Sequence, residues 1–186
     1  MQGRMIVICA PSGTGKSTLL NRLFSEIPEL EWSVSCTTRP MREGEKHGKD
    51  YYFISKEEFE KEIAQNKFIE WAKVHSNYYG TSKTFVDEGL RAGKKMLFDL
   101  DVQGSDAMKR MYGDQVQVIF IEPPSIEELE KRLTGRATEP LHVIQERVEN
   151  ARKELERKED FDHLVLNDDV EKAYVRLKEV VERILA

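Results

Sequence analysis

Ala10-Pro11-Ser12-Gly13-Thr14-Gly15-Lys16-Ser17 follows the apolar run Met5-Ile-Val-Ile-Cys9 and opens the helical pattern Lys16–Phe24. A buried strand, a glycine-rich turn and a helix, in that order, decide the fold class. Glycines let backbone N–H groups turn inward around phosphate oxygens, and the N-terminus of the following helix adds positive potential. Lys16 brings a full charge to β- and γ-phosphates, and the Ser17 hydroxyl suits Mg²⁺. Ala10 stands where the usual pattern has Gly, but Gly13 and Gly15 keep the tight turn. From average residue usage the pattern arises by chance in on the order of one chain in a hundred of this length. The required strand and helix context lowers that further. The residues expected to touch ATP are Pro11, Ser12, Gly13, Thr14, Gly15, Lys16, Ser17 and Thr18. The loop by itself names no second substrate.

Outward from the loop, apolar runs at Lys95–Asp99, Val116–Ile121 and His163–Leu166 read as further buried strands. Helical patterns cover Val102–Met111, Ser125–Leu133, Leu141–Lys158 and Asp169–Leu185. Strands alternating with helices give an α/β fold of the P-loop NTPase type, a parallel sheet sandwiched by helices. Ser125 with Glu128, and Ser55 with Glu58, mark helix starts, the second opening a helix through Ala64. Pro123-Pro124 ends the preceding strand. Met108 and Met111, three apart on a predicted helix, read as core packing. No repeat or linker divides the chain, so we expect a single domain over 1–186. Its core spans 1–32, 84–124 and 160–186, with an inserted, partly β region at 33–83 and a helical segment at 125–159.

The chain has 186 residues, 39% of them hydrophobic, enough for one sizeable core. A net charge of −5 argues against a general nucleic-acid binder, which needs a basic face. The N-terminal apolar run is too short for a signal peptide or a membrane span, and Gly3 is out of register for myristoylation. Two cysteines, Cys9 and Cys36, have neither metal nor redox spacing and suit a reducing cytosol, with Cys9 a buried inert thiol. His47, His75, His142 and His163 have no ligand spacing. The expectation is a cytoplasmic protein with no membrane, nucleic-acid or obligatory protein partner.

The second dense segment runs Ser35-Cys-Thr-Thr38-Arg39-Pro-Met-Arg42-Glu-Gly44-Glu45-Lys-His-Gly48-Lys-Asp50-Tyr51-Tyr-Phe53. Pro40 and two glycines rule out a long helix, so Arg39 and Arg42 are loop arginines. Planar guanidinium groups suit a bidentate grip on phosphate. With the phenols of Tyr51 and Tyr79 they would hold the dianion of a nucleoside monophosphate. The other reading is a solvated surface loop whose arginines pair with Glu43 and Glu45, and both stand at this point.

Ser35–Phe53 closely resembles the monophosphate-binding segment of guanylate kinases. Phe68-Ile-Glu70-Trp-Ala72, Asn77-Tyr-Tyr79-Gly80-Thr81, Asp99-Leu-Asp101-Val-Gln-Gly104 and Arg132-Leu-Thr-Gly-Arg136-Ala-Thr-Glu139 resemble later segments of that family, in order along nearly the whole chain. The resemblance implies ATP + GMP ⇌ ADP + GDP with Mg²⁺, region 33–83 binding GMP and 125–159 forming a lid. It implies Ser35, Glu70, Thr81 and Asp101 around the guanine, and Arg39, Arg42, Tyr51 and Tyr79 on the GMP phosphate. Asp99 would lie near Mg²⁺, as Ser17 would. Arg132, Arg136 and Arg147 would gather around the ATP phosphates, and with Lys16 and Arg39 they are the expected catalytic set. Asn167 would lie near the adenine. Ala137 stands where the family pattern has Gly. A strand-end aspartate such as Asp99 also sits where open α/β sheets place ligands. Residue by residue the plainer alternatives are an exposed ladder of Arg132 and Arg136 with Glu128 and Glu130, an Asx turn or cap at Asn167, and a solvent-facing carboxylate at Glu70. For the chain as a whole they are a kinase for another base, or a related module that binds phosphorylated peptides without catalysis.

Overall fold

The structure, a computed structural model, describes residues 3–74, 76–135 and 141–186. In chain order the elements are β1 (Arg4–Cys9), α1 (Lys16–Glu26), β2 (Leu30–Trp32), β3 (Cys36–Thr37), β4 (Tyr52–Phe53), α2 (Lys56–Ala64), β5 (Phe68–Val74), β6 (Asn77–Ser82), α3 (Lys83–Arg91) and β7 (Lys95–Asp99). There follow α4 (Val102–Tyr112), β8 (Val116–Glu122), α5 (Ile126–Thr134), α6 (Leu141–Glu156), β9 (His163–Leu166) and α7 (Val170–Leu185).

A five-stranded sheet in the order β2-β7-β1-β8-β9 is parallel throughout. Its central strand β1 is buried on both faces, which is why it reads as an unbroken apolar run. Ile6 and Ile8 pack against Leu19, Leu20 and Leu23 of α1 and Leu177 and Val181 of α7. Met5, Val7 and Cys9 face the other way, against Val86 of α3 and Val102 and Met108 of α4. Each such fully buried aliphatic side chain contributes on the order of 1.5–3 kcal/mol. Burial also pushes the Cys9 and Cys36 thiols up to about 12, in keeping with an inert Cys9. Because the strands run parallel, the residues that follow β1, β7 and β9 all emerge along one edge of the sheet.

Two elements of this layer were not expected. The strand β2 is only three residues long, and α3 contains Gly89, a poor helix former. Gly89 is there because α3 lies directly on β7: a Cβ would run into the Met96 sulfur. Met108 is fully buried as expected, but Met111 is 44% exposed, because α4 turns it off the sheet near its last turn.

Residues between β2 and α3 form a second, mixed sheet in the order β4-β3-β6-β5. It has its own small core of Cys36, Phe59 and Phe68, with Phe59 stacked on Phe68 at 4.2 Å. A register shift between Phe68 and Glu70 sets Glu70 opposite Thr81. Bulges of this kind re-aim side chains beside sites. Helices α5 and α6 share a third cluster, Leu129, Leu133, Ile144, Val148 and Ala151. Ser125, Ser55, Asp101 and Asp169 cap α5, α2, α4 and α7, each side chain accepting an N–H of the first turn. Among the described residues no helix is long and apolar enough to cross a membrane.

Candidate active site

The turn after β1 is built for backbone exposure. Gly13 and Gly15 take φ of +87° and +94°, values that L side chains rarely adopt. Thr14 between them is fully buried, and its hydroxyl donates to the Pro11 carbonyl at 2.6 Å. No side chain caps α1, and no acidic residue stands in its first turn. Its leading N–H groups and positive end therefore suit an anionic phosphate. Gly13 also lies under α5, where a Cβ would meet Leu133 Cδ2 at 2.7 Å. Gly13→Ala should therefore cost about 1–2 kcal/mol from the backbone alone. That is roughly a 2–8 °C drop in Tm for a domain of this size, read by thermal melting.

Three expected residues close on this turn from outside it. The buried Asn167 amide donates to the Thr14 carbonyl at 2.6 Å. It also occupies the space a Cβ on Gly15 would need. Asn167 thus braces the phosphate loop, a role its sequence neighbourhood did not disclose, since the two residues are 153 positions apart. Arg132 of α5 reaches the Thr14 and Asn167 carbonyls at 3.5 and 3.4 Å, and Arg147 of α6 donates to Ser12 Oγ at 3.1 Å. Arg132 is therefore turned to the loop and away from an outward ladder with Glu128 and Glu130. Arg136 and Ala137 lie outside the described residues.

On the neighbouring strand Asp99 pairs with Lys16, whose ammonium also donates to the Leu100 carbonyl at 3.3 Å. Asp99 lines a cavity together with Ser35, Tyr51 and Thr81. Ser33 and Asp50, which the sequence did not single out, line it too. The Thr81 hydroxyl donates to Glu70 Oε1 at 2.6 Å. Burial raises the Glu70 carboxyl above its ordinary range, and the charge of Asp101 adds to the rise, while the Thr81 hydrogen bond opposes it. Glu70 is thus a half-buried carboxyl held by Thr81, which itself lines the cavity. Asp101 has a second job that sequence reasoning missed: its Oδ1 accepts the Gly104 N–H at 2.7 Å and caps α4.

Tyr51, which lines the cavity, meets Tyr79 edge to face, ring centroids 6.0 Å apart. Arg39 lies over Tyr51 at 5.6 Å and pairs with Glu45. The surface-loop alternative named the right partner for Arg39. It did not anticipate how little solvent reaches the pair, whose side chains are only 12% and 20% exposed. Arg42 sits exposed in the turn ahead of Glu45.

A family model described as guanylate kinase matches residues 2–184. The chain belongs to the guanylate kinase family. It is 48% identical over 169 residues to the guanylate kinase of Chlorobaculum tepidum, covering 91% of this chain and 87% of that protein. It is 44% identical over 186 residues to that of Bacteroides thetaiotaomicron, covering 100% and 91%. Among solved structures it is similar to the crystal structure of guanylate kinase from Anaplasma phagocytophilum. The TM-score is 0.71 and the identity 32%, covering 98% of this chain and 86% of that one.

Proposed function

We propose that this chain moves the terminal phosphoryl group of ATP onto GMP, giving ADP and GDP, with dGMP as a second acceptor. One observation carries the reading. Asp99 pairs with the phosphate-loop Lys16 and also lines the cavity of Ser35, Tyr51 and Thr81, so donor and acceptor sites meet at one point. Two nucleotides bound there would bring their phosphates face to face. Region 33–83 would be the GMP-binding part, 125–159 the lid, and the rest the core. A cytoplasmic location fits such a metabolic reaction.

Phosphoryl transfer asks mainly for positioning and charge neutralisation. An oxygen of the GMP phosphate attacks the γ-phosphorus in line, the bond to the bridging β–γ oxygen breaks, and ADP leaves. Lys16 and the loop N–H groups hold the β- and γ-phosphates. Arg39, Arg42, Tyr51 and Tyr79 hold the attacking phosphate, and Arg132, Arg136 and Arg147 meet the charge that spreads over the transferring group. Ser17 and Asp99 offer hard oxygen donors at the meeting point, which fits Mg²⁺, an ion that takes one or two protein ligands and completes its shell with phosphates and water. When bound, it would neutralise charge on the β- and γ-phosphates. Ser35, Glu70, Thr81 and Asp101 would read the guanine.

The test is coupled ADP release against a panel of nucleoside monophosphates with Mg²⁺ and ATP. GMP should give the highest kcat/KM, with dGMP a substrate and AMP, CMP and UMP far behind. Preference for another base, or no turnover with any member, would overturn the reading.

A further inference from the structure

Glu45 lies in the acceptor loop and belongs to none of the substrate contacts proposed above. Its two oxygens clamp the guanidinium of Arg39, Oε1 accepting from Nη2 at 2.7 Å and Oε2 from Nη1 at 3.1 Å. The Pro40 carbonyl takes a second bond from Nη1 at 2.9 Å. Both Nη1 hydrogens are thereby engaged, and the guanidinium also makes a side-chain hydrogen bond with Tyr79, another residue expected on the same phosphate. The same carboxylate ties down the loop. Oε2 accepts the Arg42 N–H at 2.7 Å, while the Glu45 N–H returns to the Arg42 carbonyl at 3.1 Å. Gly44 takes φ of +87° at the third position of that turn, the requirement of a type II turn.

We propose that Glu45 is a positioning residue for the acceptor phosphate: it fixes the plane of Arg39 and the turn bearing Arg42, so that both guanidinium groups meet the phosphate pre-aimed. The inference rests on the acceptor-site reading above. On charge alone the carboxylate is a liability, since it cancels one of two positive charges beside a dianion. Its gain is geometric. A long arginine has several rotatable bonds, and a bidentate carboxylate holds its planar fork in one orientation. The site is shielded enough for this pairing to matter more than an exposed ion pair does. A competing role has the opposite signature: a latch that occupies Arg39 until GMP displaces it would weaken GMP binding in the wild type.

The experiment is steady-state kinetics of Glu45→Gln and Glu45→Asp, and of Glu45→Gln placed in an Arg39→Ala background, with melting curves for every variant. Glu45→Gln keeps size and one acceptor oxygen. If Glu45 positions, its KM for GMP should rise roughly ten- to hundredfold, the scale of a misplacement of about 1 Å. KM for ATP should stay within about twofold. Glu45→Asp should recover part of the loss. In the Arg39→Ala background Glu45→Gln should add a clearly smaller loss, because only the part of its effect that runs through the Arg42 turn remains. An unchanged or lower KM for GMP overturns the proposal, as does the same penalty in both backgrounds or parallel rises of both KM values with a lowered Tm. Arg39 would grip a phosphate that all monophosphates share. If the wild type prefers another base, the function reading fails, and the same comparison with that base still decides the role of Glu45.

Discussion

Lys16→Ala should lower kcat by roughly a hundredfold or more, the usual scale for removing one group that meets developing charge. The KM for GMP should move far less. The lysine stands at the end of a turn whose other contacts to phosphate come from backbone N–H groups, and these survive the substitution. Ground-state binding of ATP thus keeps most of its support, while the charge that spreads over the transferring group loses its nearest cation. The pair with Asp99 complicates a simple reading of the variant. Removing Lys16 strips Asp99 of its partner, and an unpaired carboxylate beside incoming phosphates repels them. Asp99 is 30% exposed, so water solvates it and the fold should survive. The double variant Lys16→Ala/Asp99→Asn separates the two effects. If repulsion dominated, the second change would restore ATP binding but leave kcat low. A Lys16→Ala variant with near-normal kcat would show that Lys16 does not serve the transition state.

Much of this arrangement is legible in the sequence wherever one local stretch carries the signal. The strands β1, β7 and β8 show because strands buried on both faces leave continuous apolar runs, and the edge strand β9 shows by its Leu-Val-Leu run although Leu164 is exposed. The phosphate loop shows because its glycines, lysine and serine are consecutive. The strands β3 and β4 do not show: two residues each cannot display an alternation, and their partners come from elsewhere in the chain. The helix α3 is hidden by Gly89, a residue chosen for close approach to β7 against its own propensity. The site divides the same way. Arg39 and Glu45 are six apart and their pairing could be named as an option, but not its shielding. Asn167 on Thr14 and Arg147 on Ser12 are contacts between distant segments, and only the folded sheet edge brings them together. Asp101 and Gly104, three apart, were local enough to read as a cap. The Asp101 carboxylate accepts the Gly104 N–H and so caps α4, besides the guanine role that the resemblance implies for it.

Glu70→Gln should cost GMP far more than it costs AMP. Guanine presents two adjacent donors, N1–H and the exocyclic amine, and an ionised carboxylate accepts both. Adenine presents an N1 lone pair, which faces the carboxylate badly. A buried charge that loses its partners costs roughly 2–5 kcal/mol, about thirtyfold to several thousandfold in kcat/KM. IMP keeps N1–H but lacks the amine and should fall between GMP and AMP. In Glu70→Gln one acceptor oxygen becomes a donor aimed at guanine's own donors, while the other can still accept the Thr81 hydroxyl that now holds Oε1. The free protein carries a cost for this selectivity, and pH exposes it. Burial raises the Glu70 carboxyl, so the fold favours its neutral form. The stabilisation is complete below the ordinary carboxylate range and is lost as pH rises through the raised value. Once ionised, Glu70 therefore strains the fold, and above the raised value Glu70→Gln should melt no lower than wild type and somewhat higher. GMP binding has the reverse dependence: it needs the carboxylate, so the KM for GMP should climb as pH falls through the raised value. Glu70→Gln should show no such climb. The two readouts together separate recognition from structure. Equal losses for GMP and AMP with a lowered Tm would make Glu70 a structural carboxylate and leave guanine selection to Ser35 and Asp101.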